Sequence, residues 1–162
     1  MRTVSTNRRT PLPGSSRDQR PNIGILLRDL GQNLVRRVTA GLAEAGFDDV
    51  RPAHTAVFQH IDAEGSRLTD LAERAQITKQ SMGYLVDYLE ERGYLERRSD
   101  PSDRRVALIF LTERGWDEVE AALGIIATIE DEWTRRLGKA RMRELRQALA
   151  ELHPAVTEAD RG

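Results

Sequence analysis

No cysteine occurs in the chain, which excludes disulfide frameworks, thiolate zinc sites, cysteine nucleophiles and thiol redox switches. Aromatic residues are scarce at 5%, and Lys79 and Lys139 are the only lysines, so positive charge rests almost wholly on arginine. The planar arginine fork suits phosphates and base edges better than lysine does, although a GC-rich genome leaves the same imprint. No apolar run approaches the ~20 residues that span a bilayer, and no apolar signal core follows the basic N-terminus. The expected location is therefore the cytoplasm, with no membrane partner. A surplus of one charge is missing too: the formal net charge is -1, so any affinity for a polyanion must come from a local patch.

What remains is a chain of 162 residues, 39% hydrophobic and 31% charged, the profile of a helix-rich globular protein with room for one domain, or for one domain with a substantial appendage. Residues 1–21 hold Arg2, Arg8, Arg9, Arg17 and Arg20 against Asp18 with almost no apolar anchor, which predicts a flexible basic tail. Asn22 is placed to cap a helix whose stripe runs through Ile23, Leu26, Leu27, Leu30, Leu34, Val38 and Leu42 and ends near Gly46. A second helix is expected after Pro52, with Val57, Phe58 and Ile61 apolar, ending at Gly65. Thr69 is expected to cap a short helix, and Thr78 a longer one that ends at Gly93. Two strands, Tyr94–Arg98 and Arg104–Leu111, flank a turn, and Thr112 opens a long helix with Val119, Leu123, Ile126, Ile129, Trp133 and Leu137 apolar. Gly138 breaks that helix, and a last one carries Met142, Leu145, Leu149 and Leu152 until Pro154 stops it.

Two short helices joined by a brief turn and followed by a hairpin form a winged helix-turn-helix. Met82, Leu85, Val86 and Leu89 stand at i, i+3, i+4 and i+7, so one face of the second helix is buried. The opposite face presents Lys79, Gln80, Ser81 and Tyr84 at its N-terminal end, with Tyr88 on the flank, whereas Asp87, Glu90 and Glu91 gather toward the C-terminal end. Such a helix enters a groove N-terminus first, offering its positive dipole end to phosphates. Gln80 is suited to adenine edges, Ser81 to bases or phosphate, and Lys79 to phosphate or guanine. Thr78 caps this end, and Gly83 permits close approach of backbone or phosphate at some loss of helix propensity. In the hairpin, Arg97, Arg98, Arg104 and Arg105 outnumber Asp100 and Asp103, a basic tip that suits a narrow minor groove.

The segment from Leu68 to Gly115, with "LVDYLEERGYLER" and the wing pattern Asp103, Arg105, Leu111, Thr112, resembles the multiple antibiotic resistance regulator (MarR) family of bacterial transcription factors. The family wing signature is Asp-x-Arg, five residues, then Leu-Thr. The resemblance implies that Arg105 enters the minor groove and that Asp103 orients it through a charge-assisted pair. Arg104 is a second candidate for that groove, while Arg97 and Arg98 are expected at phosphates. The family is dimeric through its first and last two helices, and the apolar stripes Ile23–Leu42 and Val119–Leu152 independently exceed what one small winged helix covers. Two recognition helices imply a pseudo-palindromic operator with half-sites ~10 base pairs apart, centre to centre.

The resulting expectation is a mainly α chain with a small β wing: tail 1–21, N-terminal dimerisation helix 22–50, winged helix-turn-helix 51–115, C-terminal dimerisation helices 116–154 and tail 155–162. The expected function is that of a homodimeric, sequence-specific regulator of double-stranded DNA, read as a repressor. Family members sense small, often aromatic ligands, for which His54, His60 and Trp116 are the candidates here; the absence of cysteine excludes the peroxide-sensing mode of some members. His54 and His60, six residues apart, stand ~240° apart on a helix and form no metal pair. No cofactor or metal is expected. The alternative, which the acidic Asp87, Glu90 and Glu91 favour, is a winged-helix module whose polar face binds protein and not DNA; an enzyme is disfavoured because no nucleophile–base pair, carboxylate pair or metal cluster is evident.

Overall fold

The computed structural model describes residues 21–100 and 106–159, with side chains as far as His153. Residues 1–20 of the basic tail, and Asp103, Arg104 and Arg105, lie outside the described residues. As expected, the protein is mainly helical with a small antiparallel sheet, in the order of a winged helix.

Helix α1 (Ile23–Glu44) starts where the Asn22 side chain accepts the Ile25 N–H at 2.9 Å, and it ends before Gly46, whose φ of +96° suits a left-handed turn. It lies along α5 (Glu113–Leu137) so closely that a Cβ on Gly41 would stand 2.8 Å from Ile125 Cδ1. Arg37 joins the two helices through both guanidinium ends, at 2.8 and 2.9 Å from the Glu132 carboxylate.

The second expected helix is much shorter than its apolar pattern implied. A 3-10 turn (Pro52–His54) leads into α2 (Thr55–Phe58), and the chain is no longer helical before Gly65. Two contacts explain this. Gly65 has φ +89°, and a Cβ there would fall 2.5 Å from the Phe110 ring; the Asp62 N–H donates to Ser66 Oγ at 2.9 Å. The turn thus delivers a strand that the sequence reading lacked, β1 (Ser66–Arg67), to the sheet. Helix α3 (Leu68–Arg74) follows directly, so Arg67 and not Thr69 occupies its N-cap. Pairing of β1 fixes Arg67 in extended backbone, and the helix begins at the next residue.

Thr78 caps α4 (Lys79–Glu91) as expected, accepting the Ser81 N–H at 3.1 Å. Met82, Val86 and Leu89 are fully buried and Leu85 is half-buried, so the apolar stripe sets the rotation of the helix. Gly93 ends it at φ +75°. Tyr94 was expected to open the next strand but is fully buried, with its N–H donated to the Leu89 carbonyl. The strands are β2 (Leu95–Ser99) and β3 (Ala107–Leu111), in sheet order β1-β3-β2, with Arg97 opposite Ile109. At the end of the hairpin the Asp100 N–H donates to the Val106 carbonyl at 2.9 Å.

Thr112 caps α5, but the apolar stripe expected on that helix is only partly inward. Ile129 is buried, Leu123 is 61% exposed and Trp116 is 43% exposed; Trp133, near the other end, is half-buried. Gly138 (φ +88°) separates α5 from α6 (Lys139–Ala159). The expectation that Pro154 stops this helix, leaving 155–162 as tail, is overturned, since helical backbone continues to Ala159. Proline removes one donor and crowds the carbonyl four residues earlier, a local penalty that a helix can absorb as a kink. Among the described residues, no helix is long and apolar enough to cross a membrane.

Candidate DNA interface and effector cavity

Packing of Met82, Val86 and Leu89 into the core leaves Lys79, Gln80, Ser81 and Tyr84 exposed at the leading end of α4. Gln80 Nε2 donates to the Tyr84 hydroxyl at 3.1 Å, and Ser81 Oγ shares a 2.8 Å hydrogen bond with Thr78 Oγ1. These contacts order the polar face before any partner arrives. A Cβ on Gly83 would meet only Leu68 Cδ2, at 3.9 Å, so the fold itself has room for a larger residue there. Beside this face, Arg67, Lys79 and Arg97 line a recess of about 400 Å³ between α4 and the sheet.

The two arginines of β2 do different things. Arg97 reaches back to α4, where its guanidinium is engaged by both Asp87 and Glu90. It therefore joins wing and helix, pairing with two of the three carboxylates on the trailing half of α4. Arg98 pairs with Glu96 and lies over the Phe110 ring at 4.7 Å, yet its side chain stays 60% exposed. At the base of the hairpin, Arg67 bonds Asp100 at 3.0 Å, tying β1 to the start of the turn that carries Asp103, Arg104 and Arg105 in the sequence.

Tyr88, expected on the reading face, is turned inward. Its hydroxyl donates to the Asp49 carbonyl at 2.9 Å, and its ring stacks on His54 at 4.6 Å. His54 is buried, and its Nδ1 accepts the Arg51 N–H at 3.1 Å. Burial, then the positive charge of Arg51, holds its pKa below the usual histidine value. The Asp49 carboxylate meanwhile accepts from the Tyr94 hydroxyl and from Arg114 and faces Arg92. Burial and Asp49 push the Tyr94 hydroxyl up to about 12, so Tyr94 stays a neutral donor. One aspartate thus joins the α1–α2 connection, the end of α4, the start of β2 and the start of α5.

A cavity of about 210 Å³ opens between α1, α2 and α5, walled by Val38, Leu42, Phe58, Val119, Ala122 and Ile126. Its polar groups are Thr55, Gln59 and Glu118. None of His54, His60 and Trp116 lines it: His54 is stacked on Tyr88, the His60 carbonyl accepts from Arg74 at 2.9 Å, and Trp116 is exposed. The sequence reading passed over Glu118, although Gly115, Glu118, Ala122, Ile125 and Ile129 follow a 3-4-3-4 spacing. That spacing places a carboxylate on the buried stripe of α5.

A helix pair whose second member shows a preorganised polar face, with a hairpin locked beside it, defines a winged helix-turn-helix transcriptional regulator. The MarR family model matches residues 48–106. The HTH-type transcriptional regulator YdcH of Bacillus subtilis is 33% identical over 109 residues, 66% of this chain and 74% of that protein. The repressor CouR, solved on a 23-mer DNA duplex, is similar with a TM-score of 0.65 and 28% identity, covering 84% of this chain and 92% of that one. CouR of Rhodococcus jostii RHA1 bound to p-coumaroyl-CoA gives a TM-score of 0.63 at 28% identity, over 81% and 91% of the two chains. The chain belongs to the MarR family of transcriptional regulators.

Proposed function

We propose that this chain is a homodimeric repressor that binds a pseudo-palindromic operator in double-stranded DNA and is released by a small ligand. The observation that carries this reading is the leading face of α4, where Lys79, Gln80, Ser81 and Tyr84 are exposed and no carboxylate intervenes. Helix N-terminal donors and a positive dipole end favour phosphate there, and Gly83 leaves room for the backbone to come close. The wing supplies Arg98 at a phosphate, with Arg105, oriented by Asp103, in the minor groove and Arg104 beside it. Arg97 and Tyr88 serve the same surface indirectly, by fixing the wing and the trailing end of α4. CouR, similar over most of both chains, has been solved on DNA and with p-coumaroyl-CoA, which supports both the DNA partner and control by a small, aromatic-containing effector. The exposed stripes Ile23, Leu26, Leu27 and Leu30 on α1, and Leu145, Leu149 and Leu152 on α6, support a second copy as the partner that covers them.

The test is a gel-shift titration with the intergenic DNA upstream of its own gene, random duplex serving as control. Arg105→Ala is expected to weaken specific binding by ~1–3 kcal/mol, with the dimer intact and a shallower dependence on salt. Unchanged affinity and salt slope would remove Arg105 from the interface.

A further inference from the structure

Resting on the reading of this chain as a ligand-released regulator, we infer that the cavity between α1, α2 and α5 is a site for a small apolar amine in its protonated form, with Glu118 as the counter-ion. Glu118 is 3% exposed, and among the described residues its Oε2 has no hydrogen-bond partner. A buried, unpaired carboxylate destabilises a fold unless something compensates it. Burial alone pushes its carboxyl up to about 7, with no neighbouring charge of either sign contributing. Nothing among the described residues of one chain therefore explains why a carboxylate stands on this stripe, between Gly115 and Ala122.

The surroundings decide the sign of the ligand. Glu118 is the only ionisable side chain among the described residues that line the cavity, and α1 and α2 bring Val38, Leu42, Thr55, Phe58 and Gln59 to it. A carboxylate, phenolate or phosphate ligand would put a second negative charge beside Glu118 with no arginine, lysine or histidine to offset it. An ammonium does the reverse: it supplies the missing partner in a low-dielectric site, where a charge-assisted hydrogen bond is strongest. Thr55 and Gln59 are available to accept a second ammonium hydrogen. Size fits as well. An apolar cavity of roughly 150 Å³ holds a benzene ring, so about 210 Å³ accommodates one ring on a short amine arm.

The proposal is tested on the full chain by calorimetric titration with three probes of matched size: 2-phenylethylamine, 2-phenylethanol and 3-phenylpropanoate. The amine is expected to bind about tenfold or more tighter than the alcohol, and the carboxylate not to bind measurably. Glu118→Gln, which keeps the shape and removes the buried charge, is expected to lose about tenfold of the amine affinity without lowering the melting temperature. Binding of the carboxylate or the alcohol as tightly as the amine overturns the proposal, as does undiminished amine affinity in Glu118→Gln or no binding by any probe. A gel shift run with the amine separates this result from the underlying reading. If the amine binds with the stated preference and DNA affinity does not change, the site stands and ligand-controlled release fails.

Discussion

Gly83 and Gly115 are both helical glycines, yet the structure gives them opposite reasons to exist. A Cβ on Gly115 would lie 2.3 Å from the Tyr94 carbonyl oxygen and 2.9 Å from Leu111 Cδ2, so this glycine is what lets α5 cross the residue that precedes β2. Gly83 has no such neighbour, and alanine there is expected to stabilise α4 by ~0.5–1 kcal/mol while weakening DNA binding through its added methyl group. Thermal melts beside gel shifts check this; a Gly83→Ala protein that is both more stable and equally tight on DNA removes the close-approach role. Glu118 gives a pH signature. Its folded pKa of about 7 lies above the ordinary 4.5, so the folded chain binds this proton more tightly than the unfolded chain. Stability from this group is therefore greatest below about 4.5 and declines until the pH passes about 7, by about 3 kcal/mol at most. Glu118→Gln should flatten that decline, and an unchanged pH slope of the melting temperature would show that the carboxyl is solvated. Neither residue's surroundings followed from its type alone: the open space at Gly83 goes with its place on a polar face, whereas Glu118 was hidden among the many acidic residues of α5.

At the scale of elements, Arg97 is the part of the wing that belongs to the recognition helix. Exposed ion pairs contribute little stability, so Arg97→Ala is expected to change unfolding free energy by less than about 1 kcal/mol. Its effect on DNA binding should be larger, because two freed carboxylates, Asp87 and Glu90, would then repel phosphates and the hairpin would lose its tie to α4. Restoration of binding in the triple variant that also carries Asp87→Asn and Glu90→Gln would support charge repulsion, and no loss in the single variant would sink the clamp. Helices α1, α4 and α5 were legible in the sequence because a side-chain cap, an apolar stripe and a terminal glycine agree in each. Three other features were not. The strand β1 is two residues long, too short for an alternating pattern, and it exists only because β3 is there to pair with it. The second helix looked longer because Val57, Phe58 and Ile61 keep helical spacing, yet tertiary contacts at Gly65 and Ser66 override it. The tie between Arg97 and α4 was hidden because sequence alone does not show that β2 lays Arg97 against the acidic end of that helix.

For the whole molecule, the exposed leucines of α1 and α6 set the expectation of a dimer. Leu149→Glu, on a face already 42% exposed, leaves the chain fold undisturbed and should shift sedimentation velocity toward the monomer while reducing operator affinity. A variant that sediments as wild type would place the contact elsewhere. The family and its overall order of helices followed from the Leu68–Gly115 segment, whereas the Asp49 junction did not: four elements converge on it from positions scattered between Asp49 and Arg114, and no local pattern encodes that meeting. Helix α5 has a practical consequence of its own. Both tryptophans of the chain lie on it, Trp116 at the end next to β3 and Trp133 about 26 Å along the axis, beside the Arg37–Glu132 contact. Replacing either one by phenylalanine turns the other into a single fluorescent reporter. Light emitted from one end then follows events at the wing, and light from the other end follows the contact between α1 and α5.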